Sequence, residues 1–563
     1  MTIRSLTLGL AAALALGGCK PQAPAEDIAP ATPAPAATGT AHEFSADITA
    51  ADFSELVRTL ASDEFEGRAP GSPGGEKTVE YIRAQFERVG LQPGNNGSWF
   101  QDVPMIETTA DPATVMTITA GGKEHALTFG PDMVVGTRTG EAEVKVDASE
   151  LVFVGYGIDA PERNWNDYAG IDVTGKTVVM FVNDPGFRSD DPELFDGKRM
   201  TYYGRWTYKF EEAARKGAAA AIIIHDTEGA SYGWDVVQNS WSGAQFDLKP
   251  ADDPAPRLPA QGWITGEHAR SILADAGQDL DALREAAGKP GFKPVPLDAR
   301  MSLQLKSTTA EKSSRNVVGI LPGSETPDEA VVYMAHWDHL GKTEDGRIYN
   351  GAIDNATGVA GIIEVAGRMA ADNPRPKRSL VFLAVTLEES GLLGSQYYVA
   401  HPAVPLVDTV AVINLDAMPV IGPARNVTVT GMGNSELEDI LAEVVKPDNR
   451  TLALESSPEA GFFFRSDHFN FAKAGVPALY AKGGNDLIDG GVEAGNAALA
   501  EYNRVAYHKP DDTWREDWNL EGVVQDLQML YQVGTRVANE GQWPNWYEGN
   551  PFRAAREKMM EGR

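Results

Sequence analysis

Apolar positions recur with two different periods along this chain, and the change of period divides it. Val79, Ile82, Phe86 and Val89 fall at helical spacing, and Gly90 follows where a helix C-cap belongs. Residues 52–61 read as another short helix, and Val359, Ile363, Ala366 and Ala370 give a third stripe. Short runs of strand type, most of them largely apolar, stand at 331–335, 380–387, 409–415, 426–430 and 476–481. This alternation, from about 315 to 540, predicts an α/β fold with a mostly parallel mixed sheet sandwiched by helices. From about 145 to 290 the texture differs. Residues 151–157 read as a strand ending in a turn, 175–182 as a turn entering a strand, and a helix over 209–216 leads through Gly217 into the apolar run 218–224. A β-rich insertion is expected there. The segment from Gly67 to Gly75 is a loop rich in residues that break regular structure, with no phosphate-binding pattern.

Composition changes this picture mainly at the ends. The 563 residues exceed what one hydrophobic core organises, so two domains or a domain with an insertion are expected. Arg4, the apolar run 6–16 and Leu16-Gly17-Gly18-Cys19 form an export signal, and Cys19 is the only cysteine. The tetrapeptide resembles the lipobox of bacterial lipoproteins, which implies cleavage before Cys19, lipidation of its thiol and no disulfide in the fold. Lys20 stands where an inner-membrane retention signal would have Asp, so the outer membrane, facing the periplasm, is the favoured location. Residues 20–41 are rich in Pro, Ala and Thr and read as a tether. No later segment has the length and apolarity to span a bilayer. A formal charge of −31 repels nucleic acid and anionic lipid, so neither is an expected partner through charge; membrane contact is expected through the lipid alone.

Candidate chemistry lies where the strands end. In open α/β sheets ligands collect beyond the carboxyl ends of the strands. Here those ends carry His336-Trp337-Asp338-His339, Glu388-Glu389 and Asp416. Asp354 stands at a helix start, and His508 lies in the polar run 507–513. Imidazole and carboxylate donors without thiolate suit zinc in a catalytic site. On residue type alone His339 and His468 are alternatives to His336 and His508. His42, His125, His225, His268 and His401 sit in no metal pattern, and no Gly-x-Ser-x-Gly elbow accompanies the strands.

These five segments in this order, with Ala61-Ser62-Asp63-Glu64-Phe65-Glu66-Gly67-Arg68 before them and Ser466-Asp467-His468 among them, resemble the co-catalytic di-zinc aminopeptidases of metallopeptidase family 28. The resemblance covers roughly residues 50–145 and 310–540. The block between them, with Trp165-Asn166-Asp167-Tyr168, resembles a protease-associated (PA) domain. The implied organisation is a signal peptide over 1–18, a tether over 19–43, catalytic parts over 44–145 and 291–545 around a PA insertion over 146–290, and a tail over 546–563.

The fold so implied is that of zinc-dependent exopeptidases, of phosphorylase/hydrolase-like type, holding two Zn2+. His336 and Asp416 would bind one ion, Glu389 and His508 the other, and Asp354 would bridge them, with a cis bond to Asn355. Asp338 would orient His336, Glu388 would be the general base, and Tyr507 would donate to the substrate's developing oxyanion. Arg465 is the expected contact to the substrate backbone. Phe463, in the run 462–464, is a candidate pocket residue, with a place in the core equally open. The implied substrates are peptides with a free N-terminus. A carboxypeptidase or dipeptidase on the same centre, a one-zinc glutaminyl cyclase and a receptor-like binding protein are the alternatives. The related family that trims C-terminal glutamate adds a dimerisation domain, for which no room is expected after residue 540.

Overall fold

The computed structural model describes residues 42–563 except 254, 344 and 562. The export signal, Cys19 and most of the tether lie outside the described residues. Residues Phe44–Arg563 form one compact unit. None of its described helices is long and apolar enough to cross a membrane.

Its central sheet is built on three parallel strands. Thr326–His336 pairs in parallel with Arg378–Val385 on one side and with Thr409–Asn414 on the other. Ala478–Gly483 continues the parallel run beyond Thr409–Asn414. Asn426–Val429 then joins that side antiparallel, and Thr451–Leu454 pairs with it in parallel. All the residues of Arg378–Val385 and Thr409–Asn414 are buried, as expected of parallel strands covered on both faces. Thr357–Ala370 and Glu521–Asn539 pack Val359, Ile362, Ile363, Leu527, Leu530 and Val533 into the core on one face. Register aligns the tips. His336 lies opposite Val385, and Met334 lies opposite Asn414, so His336 and Asp416 stand at one level while Glu388 and Glu389 follow just beyond.

A single strand of 27 residues, Val295–Leu321, joins this body to a second lobe. Its first part alternates, with Leu297, Ala299, Met301, Leu303 and Leu305 buried in the second lobe's core. Its last part, Val317–Leu321, pairs antiparallel with the strand Arg378–Val385. Parallel strands Thr177–Phe181, Ala220–Ile224 and Ala260–Ile264 make the centre of the second lobe. The core of this lobe gathers residues from Met116 to Leu305, so the boundaries at 146 and 290 read from sequence texture fall inside it.

The stretch from Gly67 to Gly75 is less of a loop than its composition suggests. Ser72 caps a helix, Pro73–Arg88, by accepting from the Gly75 N–H at 3.1 Å, and Pro73 occupies the first turn, where a missing N–H costs nothing. Cap chemistry here overrides the breaker signal.

Glu364, on Thr357–Ala370, is a buried carboxyl accepting from the Thr49 N–H at 3.1 Å. Burial pushes its pKa up to about 8 from 4.5; the Thr49 bond opposes this, Asp52 adds to it and Arg88 opposes it. A pKa raised by folding favours the protonated native form, so this contribution is complete below pH 4.5 and is lost as pH rises through about 8. Glu364→Gln is expected to remove that decline and raise Tm at pH 8 by about 2 °C or more. Melting curves from pH 5 to 9 check it; a variant no more stable than the parent at pH 8 contradicts the assignment.

Candidate metal centre

His336 closes its strand with 1% of its surface exposed. Its Nδ1 lies 3.1 Å from the Asp338 backbone carbonyl, which can only accept, so Nδ1 carries the proton and Nε2 presents a lone pair. That Nε2 has no hydrogen-bond partner, yet Asp354 Oδ1 stands at 3.3 Å, Asp416 Oδ1 at 3.5 Å and Glu388 Oε2 at 3.9 Å. A bare nitrogen facing three buried carboxylates is stable only around a cation or an added proton. Burial works against an imidazolium, but Glu388, Asp354 and Asp416 outweigh it and raise the His336 pKa well above its usual value.

Asp354 offers its other oxygen to a second histidine. His508 Nε2 lies 3.2 Å from Asp354 Oδ2 and 3.2 Å from Glu389 Oε2. The Glu389 Oε1 is taken by His339 Nδ1 at 2.6 Å. Asp354 thus splits its carboxylate between two clusters, one with His336 and Asp416, the other with His508 and Glu389. Donor atoms of His336, Glu388 and Asp416, and of His339, Asp354 and Glu389, also fall within 4.8 Å of one another. His339 therefore belongs to the centre, which residue type alone had left open. His468 does not join these clusters. Both its nitrogens are buried without partners, burial lowers its pKa to about 3, and its ring packs edge-on against Phe463.

The backbone is braced where these acids sit. Asp512 accepts from the N–H groups of Ile353 and Asp354 at 3.0 Å each. Asn355, joined to Asp354 by a cis bond, accepts from Ala417 N–H at 3.1 Å and donates to the Leu415 carbonyl at 3.1 Å, tying the turn of Asp354 to that of Asp416. Lys482 donates to the carbonyls of Asp416 and Ala417 at 2.8 and 3.0 Å. Buried Arg68 donates to the carbonyls of Trp337, Leu60, Asn350 and Gly351. Gly351 has a φ of +55°, and a Cβ there would meet the Asp354 carbonyl and lie 2.6 Å from the His339 ring.

Sequence reasoning singled out none of Arg68, Asn355, Asp512 and Lys482 for these roles, although the first three stand inside motifs it quoted. Their work is done through backbone groups, which leave no spacing signature.

Two expectations become more specific. Asp338 meets His336 through its carbonyl rather than its carboxylate, whose Oδ1 is 3.8 Å from Nδ1; the carboxylate accepts from the Glu388 and Glu389 N–H groups at 3.2 and 3.4 Å. Phe463 is 3% exposed and packs with Phe469, Trp546 and Phe552, so it is core, while Phe462 is 43% exposed. Burial of the middle ring follows from the tight turn of Phe462–Phe464, which sends adjacent side chains in different directions. Tyr507 is 43% exposed, with its ring stacked 4.0 Å from that of His508.

The model of "Peptidase family M28" matches residues 316–531, which contain His336, Asp354, Glu388, Glu389, Asp416 and His508. Residues 316–531 are a peptidase family M28 domain. A "Probable zinc metalloprotease" of the fungus Pyrenophora teres f. teres is 33% identical over 221 residues, 38% of this chain and 40% of that protein. A "Glutamate carboxypeptidase 2 homolog" of Caenorhabditis elegans is 29% identical over 296 residues, 45% of this chain and 35% of that one. Among solved structures, the aminopeptidase from Aneurinibacillus sp. strain AM-1 is 20% identical with a TM-score of 0.47, covering 88% of this chain and 95% of that one. The chain spans between 28% and 36% of the length of the first curated relatives it matches.

The donor set fits zinc: nitrogen and oxygen ligands, a lone pair on His336 with nothing to accept from, and carboxylates grouped around it. Asp512→Ala leaves the Asp354 N–H unbonded and should weaken zinc affinity about 10- to 100-fold while preserving the far-UV spectrum. Competition titration against a chromophoric chelator measures it, and parental affinity in the variant would exclude Asp512 from supporting the site.

Proposed function

We propose that the protein is a zinc-dependent aminopeptidase that removes residues from the free N-terminus of peptides. One observation carries the reading: the two oxygens of the Asp354 carboxylate face two different histidines, His336 at 3.3 Å and His508 at 3.2 Å. A bridging carboxylate with a histidine and a second carboxylate on either side is the donor arrangement of a two-metal hydrolase. His336 and Asp416 would hold one zinc, His508 and Glu389 the other, with Asp354 shared between them. Bound there, the ions supply Lewis acidity, polarising a carbonyl and bringing the pKa of water toward neutrality.

The chain's own residues do the rest. Burial pushes the Glu388 carboxyl well above its ordinary range; His336 opposes this, and Glu389, Asp416 and Asp467 add to it. A carboxylate with raised proton affinity, 3.9 Å from His336 Nε2, can accept a proton from water and return it to the leaving amine. The Tyr507 hydroxyl, its ring stacked 4.0 Å from that of His508, would donate to the oxygen that gains charge. Asp338 fixes the backbone of Glu388 and Glu389, so base and ligand are positioned by one side chain. Export and lipidation at Cys19, with the periplasmic side of the outer membrane as the location, belong to the same reading and rest on the N-terminal sequence alone.

Chelation is expected to abolish hydrolysis of leucine p-nitroanilide and zinc to restore it; full activity in a sample verified as metal-free would refute the mechanism. Glu388→Gln should retain metal and lose about 100- to 10,000-fold in kcat, and a near-parental kcat would remove Glu388 from the role of base. Acetylating the substrate's N-terminus should block cleavage. An enzyme indifferent to the acetyl group, but requiring a free C-terminus, would be a carboxypeptidase on the same centre.

A further inference from the structure

Two guanidinium groups with buried, unbonded nitrogens lie on either side of the contact between the second lobe and the peptidase body, and neither has an acid partner among the described residues. Arg205 precedes the helix Trp206–Arg215 of the second lobe and is 9% exposed. Its Nε is buried without a hydrogen-bond partner. Arg465, in the peptidase body, buries both Nε and Nη2 without partners. Its guanidinium carbon lies 5.4 Å from the centre of the Phe462 ring. Elsewhere the buried arginines of this chain are bonded. Arg68 donates to four carbonyls, Arg378 pairs with Glu329, and Arg450 pairs with Asp526.

The lobes meet at this place. Tyr202, three residues before Arg205, lies 6.3 Å from Phe464 and 5.3 Å from Phe469, ring centre to ring centre. Met200 N–H donates to the Pro458 carbonyl at 3.2 Å. Burial first, and the Arg465 charge after it, lower the Arg205 pKa to about 9, with the hydroxyl of Tyr232 working the other way. Burial lowers the Arg465 pKa too, opposed by the hydroxyls of Tyr232 and of Tyr507, the neighbour of His508. An uncompensated buried charge is costly, and a second cation acting on it raises the cost, so the arrangement asks for an anion. Paired guanidinium forks match the geometry of a carboxylate.

We propose that Arg205 and Tyr232 of the second lobe, with Arg465 of the peptidase body, form a receptor for a carboxylate of the substrate. This rests on the aminopeptidase reading and narrows it to short peptides carrying a carboxylate at a fixed distance from the scissile bond. The carboxylate is either the free C-terminus of a di- or tripeptide or an acidic side chain. The second lobe then contributes directly to substrate choice, and an intact chain is needed for it.

The test compares matched substrates on the zinc-loaded full chain: Leu-Leu against Leu-Leu-amide for the C-terminus, and Leu-Glu-amide against Leu-Gln-amide for the side chain. One pair is expected to show at least about a tenfold preference for the acid in kcat/KM, carried mainly by KM, and which pair does so identifies the source. Arg205→Met should collapse the preference within that pair, while Arg205→Lys retains part of it. Calorimetric titration of the metal-stripped protein with the same peptides gives a second readout, in which the acid binds more tightly than the amide. Equal kinetics and equal binding for acid and amide in both pairs overturn the receptor. Hydrolysis of leucine p-nitroanilide separates the two ideas, because its persistence alongside such indifference leaves the aminopeptidase reading intact.

Discussion

The centre of this protein is a concentration of negative charge that the polypeptide alone does not balance. Asp338, Asp354, Glu388, Glu389, Asp416, Asp467 and Asp512 are gathered at one edge of the sheet, most of them buried. The nearest cationic side chains, Arg68 and Lys482, donate to backbone carbonyls rather than to these carboxylates. Like charges in low dielectric cannot all remain ionised without a counter-charge. Only the imidazoles of His336, His339 and His508 and whatever cations they help to bind can hold the cluster together, and the rest of the architecture serves that requirement.

Parallel pairing does most of the placing. Three strands running the same way, in register, bring their carboxyl ends to one level without any loop having to reach. Of the two remaining candidate ligands, Asp354 comes from a turn that no strand positions, and it is there that side chains bonding to backbone are densest. Asp512 holds the turn from one side, while Asn355 and Thr357 stitch it to residues 415–418 from the other. Rigidity is therefore greatest where a carboxylate must address two partners at once, as electrostatic preorganisation requires.

What the sequence could disclose follows from how each residue acts. Candidate ligands announce themselves, since His336, Glu389 and Asp416 are polar groups at the tips of largely apolar runs, and the structure brings the five candidate side chains together. Residues that act through the backbone do not, which is why Arg68 looked like the end of a loop motif and Asp512 like part of a polar run. The long strand Val295–Leu321 was legible in principle, for 297, 299, 301, 303 and 305 alternate strictly. The change of texture near residue 290 masks it, since it reads as a boundary where the chain instead continues as one strand through both lobes. Phe463 illustrates the opposite case: three consecutive phenylalanines carry no information about which ring faces solvent until the turn is known.

That continuous strand bears on how the second lobe relates to catalysis. A lobe attached by flexible linkers would move freely and could not be trusted to present a side chain to the active centre. Here the strand that leaves the second lobe's core at Leu305 enters the peptidase sheet at Val317 with its pairing to Phe100–Ala110 maintained along the way. Rings of Tyr202, Phe464, Phe469 and Phe552 fill the contact near Arg205. Interior-like packing resists small displacements. A guanidinium held on the far lobe is then as well positioned as one on the catalytic sheet, and burying it unpaired makes physical sense only if a ligand completes the pairing.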